Sequence, residues 1–267
     1  HPPERDLRQG FEWDLQVFRW CDQLGYKEGW IGEHHCSPWE PNPSPDLLLS
    51  QAFAQTKNIR LGPGGFLLPY HHPAELANRV AFLDHISGGR LNFGVAASGL
   101  PSDWKMFNVD GFSGQNRDMT REALEIILKL WSSEEPFDYK GKYWNVSLPA
   151  RSYETLTPHF RPLQKPHPPI IVGGTGERTM RVAAKHATDY NQIAPLEDVK
   201  ANLAKMEAVC GEMGRDFGQM RHSVQLQIKL RDSKEEVERT VARGASLARR
   251  PSKRYHNLEN QTRDSML

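Results

Sequence analysis

Cysteine is scarce. Cys21, Cys36 and Cys210 are the only three in 267 residues. So odd and scattered a set makes neither a disulfide framework nor a CxxC metal knuckle, and a reducing, cytoplasmic compartment is expected. Runs of about eighteen apolar residues are lacking, as is a signal-peptide pattern, so the chain reads as soluble. Neither sign of charge dominates. With 34 Lys and Arg against 33 Asp and Glu, the formal net charge is +1, too little for a nucleic-acid-binding field or a strongly acidic surface. Internal repeats and long low-complexity tracts are missing too. The chain opens at His1 rather than at a methionine, so an N-terminal portion is expected to lie outside it. Its length suits one large α/β domain or two modest ones, with a real core in either case.

What is present is an alternation of strand and helix signals. Leu7, Phe11, Leu15, Phe18 and Leu24 fall at helical spacing over 5–24, and Gly25 stops the helix. A strand follows and ends in Glu33-His34-His35. After a proline-rich connection, Asp46 is the expected N-cap of a helix carrying Leu48, Leu49, Ala52 and Phe53. Residues 59–68 read as a strand interrupted by Gly62-Pro63-Gly64-Gly65, a signature of a bulge or of close approach by a ligand. His72-Pro73 opens a helix that Gly88-Gly89 closes. Residues 90–96 form a strand, 98–103 a loop and 117–131 a strong helix. Excursions of hairpin type are expected over 137–143 and around Leu156. Beyond them lie the strand Ile170-Ile171-Val172, a helix through Ala184, a strand over 189–194 and a helix over 196–213 with Leu196, Val199, Leu203, Met206 and Val209 on one side. The alternation of Val224, Leu226, Ile228 and Leu230 marks another strand, and a charged helix from Ser233 to about Leu247 follows. This β-α order predicts a parallel sheet with helices outside it. Six strands are two short of a closed barrel, one before His1 and one after Leu247.

Three constellations carry chemistry. Glu33-His34-His35-Cys36 leaves the carboxyl end of a strand, where parallel barrels keep their catalytic groups. Neighbouring residues on a strand face opposite ways, so one imidazole faces the pocket and the other finds structural partners. A metal site built from Glu33, His34, His35, Cys36 and His71 or His72 is the rival, weakened by the absence of i, i+4 histidine spacing. Cys36 reads either as an activated thiol or as a small pocket residue. Gly173-Gly174-Thr175-Gly176 lies between a strand and a helix, with Arg178 and Thr179 one turn on. It reads as a phosphate-binding turn or as a plain glycine-rich connection; it is not a GxGxxG dinucleotide fingerprint. Gly62 to Gly65 reads as a ledge for a flat ring or as a kink that helps the sheet close. Trp39, Phe66, Tyr70 and Trp104 cluster at strand ends and mix packing with pocket lining.

Assembled, GWIGEHH (29–35), IRLGPGGFLLPYHHPAELANRVAFLDHISGGRLNFGVA (59–96), REALEIILKLW (121–131) and PPIIVGGTG (168–176) resemble the bacterial-luciferase-like flavin-dependent monooxygenases. The PYHHP and SGLPSDW stretches resemble its limonene-monooxygenase-like members. The resemblance implies a single TIM-type (β/α)8 barrel domain over residues 1–267, incomplete at its ends. It also implies reduced FMN from a separate NAD(P)H-dependent flavin reductase, and activation of O2 at the flavin 4a carbon to oxygenate a small, largely apolar substrate. By position His34 is the catalytic histidine. Gly173, Gly174, Thr175 and Gly176, with Arg178 and Thr179, are the phosphate site. Pro63-Gly64 is the bulge beside the isoalloxazine, where the family often has a non-prolyl cis peptide. Luciferases proper carry a cysteine and an arginine where this chain has Ala96 and Ala97. Ala96 then lines the cofactor site without a thiol, and phosphate charge shifts to another residue such as Arg178. The family also implies a homodimer. Two alternatives remain, a deazaflavin-dependent oxidoreductase of the same fold and a non-catalytic flavin-binding protein.

Overall fold

The computed structural model describes residues 6–37, 40–149, 160–226 and 230–248. Contacts divide the chain into two compact units, 1–225 and 226–267. In the first, α1 (Leu7–Gln23) is capped by Asp6, whose carboxylate accepts from the Arg8 N–H, and buries Leu15 and Phe18. Then come β1 (Glu28–Ile31), α2 (Pro45–Gln55), β2 (Arg60–Pro63), β3 (Phe66–Leu67) and α3 (Pro73–Ile86). They are followed by β4 (Phe93–Ala96), α4 (Pro101–Met106), α5 (Gln115–Ser132) and the antiparallel hairpin of β5 (Phe137–Lys140) and β6 (Asn145–Leu148). The unit continues through β7 (Ile170–Gly173), α6 (Glu177–His186), β8 (Asp189–Gln192), α7 (Leu196–Glu212) and β9 (Arg221–Val224). In the second unit the described element is α8 (Lys234–Ala248).

Apart from the β5–β6 hairpin, the strands pair in parallel. β1 joins β2, and β3-β4-β7-β8-β9 form a five-stranded sheet. β2 continues into that array through the Leu61–Leu91 bridge, so the described residues make six parallel passes, the number the sequence predicts. Every loop that leaves a strand toward the next helix therefore emerges at one common edge, the carboxyl edge. The array also curls. Arg221 at the start of β9 reaches Glu28 at the start of β1, with Nη2 3.0 Å from Oε1.

Alternation along the strands sorts the two faces. On β1 a side chain at Gly29 would meet Leu61 and Phe18 of α1, so that side faces the helices and Trp30 faces inward over Gly62. Phe93 packs edge-on against Trp131 of α5, ring centroids 5.4 Å apart. The hydrophobic core consequently lies between sheet and helices, where Leu49, Ile59, Leu61, Leu76, Phe93, Leu124, Ile126 and Ile127 are fully buried. Each such side chain contributes roughly 2 kcal/mol. The inner face is polar instead. Arg221 pairs with Asp189, and Ser223 bridges Asp189 and Asn191, while the Arg60 guanidinium bonds Asn92 and the carbonyls of Gly89 and Leu91.

Four expectations need correction. The N-cap of α2 is Ser44, with Pro45 following it; Asp46 lies inside the first turn and pairs with Arg79 at 2.7 Å. The expected loop 98–103 contains the start of α4, which opens on Pro101. Leu196 on α7 is exposed rather than part of the buried stripe. The last strand sits earlier than the 224–230 alternation suggests, because its ladder partner aligns Asp189 with Arg221 and Gln192 with Val224. Ile228, the Leu156 segment and the stretch after 248 lie outside the described residues.

Candidate active site

β1 ends at Ile31, and Gly32 lets the chain turn close to Glu40. A Cβ at position 32 would lie 2.4 Å from the Glu40 Oε1 that accepts the Gly32 N–H. The next four residues then fan out. Glu33 turns inward and is 1% exposed. Its Oε1 lies 2.9 Å from His35 Nε2 and 2.9 Å from His71 Nε2, and its Oε2 accepts the Leu67 N–H at 3.0 Å. An ionised carboxylate only accepts, so both imidazoles donate through Nε2. Burial alone would raise the Glu33 pKa, but the hydrogen bonds from His35 and His71 and the Leu67 N–H outweigh it, and the net shift is downward. Glu33 thus ties the ends of β1 and β3 together, and His35 and His71 belong to that tie.

His34 faces other partners. Its Nδ1 lies 3.3 Å from Oδ2 of Asp103, which is fully buried on α4, and its Nε2 lies 3.5 Å from Glu40 Oε2. Asp103 Oδ1 also accepts the Cys36 N–H at 2.8 Å. The buried acceptor fixes the Nδ1–H tautomer, leaving Nε2 as the atom that can take or give a proton. The two histidines therefore face apart, as expected, although the loop after β1 rather than strand pleat separates them. An activated thiol at Cys36 does not fit. Desolvation and then the Asp103 carboxylate push its pKa up, away from the thiolate.

Asp103 and Glu40 escaped the sequence reading. A signal for the first was present, since a proline followed two residues later by an acid is a helix-start pattern.

The ledge on the adjoining strand divides between the two readings. The Gly64–Gly65 peptide is cis, one bond later than the Pro63–Gly64 position suggested. A Cβ on Gly65 would strike the Gly94 backbone at 2.6 Å, and one on Gly94 would sit 2.0 Å from the Pro63 carbonyl oxygen. Strand packing requires these glycines. Gly64 is the exposed one. Ala96, its side chain on the same face as Gly94, ends β4. Of the four aromatics, Phe66 is core, in contact with Phe93 and His71. Tyr70 stacks on Phe107 at 4.2 Å, and burial pushes its phenol up, so it stays a neutral donor. Trp104 packs edge-on to Phe112; Trp39 is outside the described residues.

Gly173 closes β7, and the turn leads directly into α6. The Gly174 N–H is already given to the Asn191 carbonyl at 3.0 Å, so Gly174, at φ +133°, shapes the turn. Thr175 and Gly176 are exposed, α6 has no side-chain N-cap, and the Thr179 side chain lies against Gly174. Open N–H groups, a hydroxyl and the Arg178 guanidinium fit a phosphate group. Because β1, β2, β3, β4, β7, β8 and β9 pair in parallel, this turn and the His34 loop share the carboxyl edge.

The sequence profile of the luciferase-like monooxygenases matches residues 5–265. The chain belongs to the luciferase-like monooxygenase family. This luciferase-like chain is 41% identical over 136 residues to 4-hydroxyprotoasukamycin monooxygenase of Streptomyces nodosus subsp. asukaensis, covering 51% of its own length and 36% of the relative's. It is 30% identical over 210 residues to limonene 1,2-monooxygenase of Rhodococcus erythropolis, covering 76% and 53%. It therefore spans about half or less of these two curated relatives. Among solved structures it is similar to the oxygenating constituent of 3,6-diketocamphane monooxygenase from Pseudomonas putida, a type II Baeyer–Villiger enzyme in complex with FMN. That match has a TM-score of 0.79 at 28% identity over 100% of this chain and 76% of the other. The chain thus has the luciferase-like α/β fold of neighbours that are of TIM-barrel type, here as a parallel array of six strand passes among the described residues. No described helix is long and apolar enough to cross a membrane.

One prediction concerns Glu33. Its folded pKa is lowered, so its stabilisation is fully present above the ordinary glutamate value of about 4.3. It is lost as pH falls below that value through the depressed folded pKa. Glu33→Gln is expected to cost roughly 3 kcal/mol at pH 7 and to flatten the loss of stability below pH 4.3. Urea unfolding at pH 7 and pH 3.5 measures both; parallel pH curves for the two proteins would contradict the assignment.

Proposed function

We propose that this chain is the oxygenase part of a two-component monooxygenase that takes reduced FMN from an NAD(P)H-dependent reductase and oxygenates a small, largely apolar substrate such as an alicyclic ketone or alkene. The observation that carries the reading is the presence, at one edge of a parallel sheet, of a glycine-rich turn into a helix without a side-chain N-cap and of a histidine whose Nδ1 faces a buried aspartate. Thr175, Gly176, Arg178 and Thr179 hold the phosphate, and Gly173 and Gly174 set the turn. Pro63, Gly64 and Ala96 line the ring site. Bound reduced FMN supplies the oxygen chemistry. The chain's own task is orientation, exclusion of water from the reacting edge and delivery of a proton by His34 Nε2. Trp30 and the Tyr70–Phe107 stack give apolar surface beside that edge. Residues 1–267 act as part of one barrel domain, supported by the family match over 5–265. A cytoplasmic location and a homodimer complete the reading.

The test supplies reduced FMN through a flavin reductase, with 18O-labelled O2 and a panel of terpenoid ketones and alkenes. One labelled oxygen atom in the product is expected. Hydride transfer to a deazaflavin without label incorporation would overturn the proposal.

A further inference from the structure

We infer that Arg117, at the start of α5, is a second guanidinium that closes on the same anion as Arg178. The inference rests on the flavin reading above. Gly114, the N-cap of α5, has φ +88°, and the position a Cβ would take there lies 2.7 Å from Arg178 Nη1 and 3.5 Å from Arg117 Nη1. Two guanidinium groups from different helices thus converge beside Gly114, and Arg178 lies two residues after the Gly174–Gly176 turn. Neither makes a side-chain hydrogen bond or an ion pair among the described residues. The carboxylates nearest in sequence are engaged elsewhere, since Asp118 pairs with Arg121 and Glu177 with Arg181. Two like charges brought together with no counter-charge repel, and a dianion between them converts that repulsion into two charge-assisted contacts.

The placement of α5 is not incidental. Asn116, 1% exposed, donates through Nδ2 to the carbonyls of Ala97 at 3.0 Å and Ser98 at 3.1 Å. This strap holds the first turn of α5 at the end of β4, so the uncapped helix start and Arg117 stand at the carboxyl edge facing the end of β7. The chain has alanine at positions 96 and 97, with no cation of its own at the end of β4. Arg117 supplies that charge from the neighbouring helix. The occupant is a phosphate monoester dianion, which two forks can grip and a neutral flavin lacks.

The test compares FMN with riboflavin, which differ only in the phosphate. Dissociation constants are measured by fluorescence quenching for the wild type, Arg117→Ala and Arg117→Lys, with inorganic phosphate binding followed by calorimetry. Arg117→Ala is expected to weaken FMN about thirtyfold while riboflavin changes less than about twofold. Arg117→Lys recovers part of the loss because it keeps charge without the fork. Equal weakening of both flavins, or of neither, overturns the inference. Wild-type protein that binds no flavin but binds phosphate in an Arg117-dependent way sinks the flavin reading and leaves the clamp standing. Binding of neither flavin nor phosphate sinks both.

Discussion

Replacing His34 with alanine is expected to lower kcat roughly 10²- to 10⁴-fold, the usual range for a positioned proton-transfer group, with reduced-FMN affinity changed less than about twofold. The reason is division of labour along one edge. In the proposed reading the anionic tail is gripped by the turn after β7 and the arginines near it, whereas the partners of the His34 imidazole among the described residues are Asp103 and Glu40. Removing the ring deletes the proton carrier and leaves the grip alone. Steady-state kinetics with an excess of reductase, alongside anaerobic binding, separate the two quantities. Unchanged turnover would remove His34 from its role, and a large loss of flavin affinity would make it a binding residue instead.

Gly94→Ala is expected to destabilise the protein by about 3 kcal/mol, a fall of roughly 6–12 °C in the unfolding midpoint. The methyl would sit 2.0 Å from the Pro63 carbonyl oxygen. That neighbour is backbone in a parallel strand and cannot rotate away. Gly176→Ala is the matched control. Nothing lies within 4 Å of its would-be Cβ and its φ is −79°, so its stability should stay within about 0.5 kcal/mol of wild type. Calorimetry distinguishes the pair; an unaltered midpoint for Gly94→Ala would mean that the strands around the ledge are not packed as described.

The parts of this fold that were legible in the sequence are those where burial follows a simple period. Leu76, Val80 and Leu83 on α3, and Ala123, Ile126, Ile127 and Leu130 on α5, announce helices because one face meets the sheet. Ile170 to Val172 announces a buried strand for the same reason. β9 is not legible because the inner face of this sheet is polar, so Arg221 and Ser223 do not advertise a strand, whereas the apolar alternation downstream does. Asp103 was hidden for another reason. Its buried carboxylate is stabilised by the Cys36 N–H and His34, partners about seventy positions away, and no local pattern encodes that pairing. The Glu-His-His triplet stands out in the sequence as a site candidate, but only the fold divides it, with Glu33 and His35 fastening strand ends while His34 faces Asp103 and Glu40 instead.

The central claim is that a flavin phosphate at the 174–176 turn places the ring across Gly64 toward His34. A crystal soaked with FMN tests it most directly. The account predicts phosphate density against Thr175, Gly176, Arg178 and Arg117, with the isoalloxazine lying over Gly64 and its edge toward His34. Flavin density at the amino-terminal edge, near Glu28 and Arg221, would contradict it.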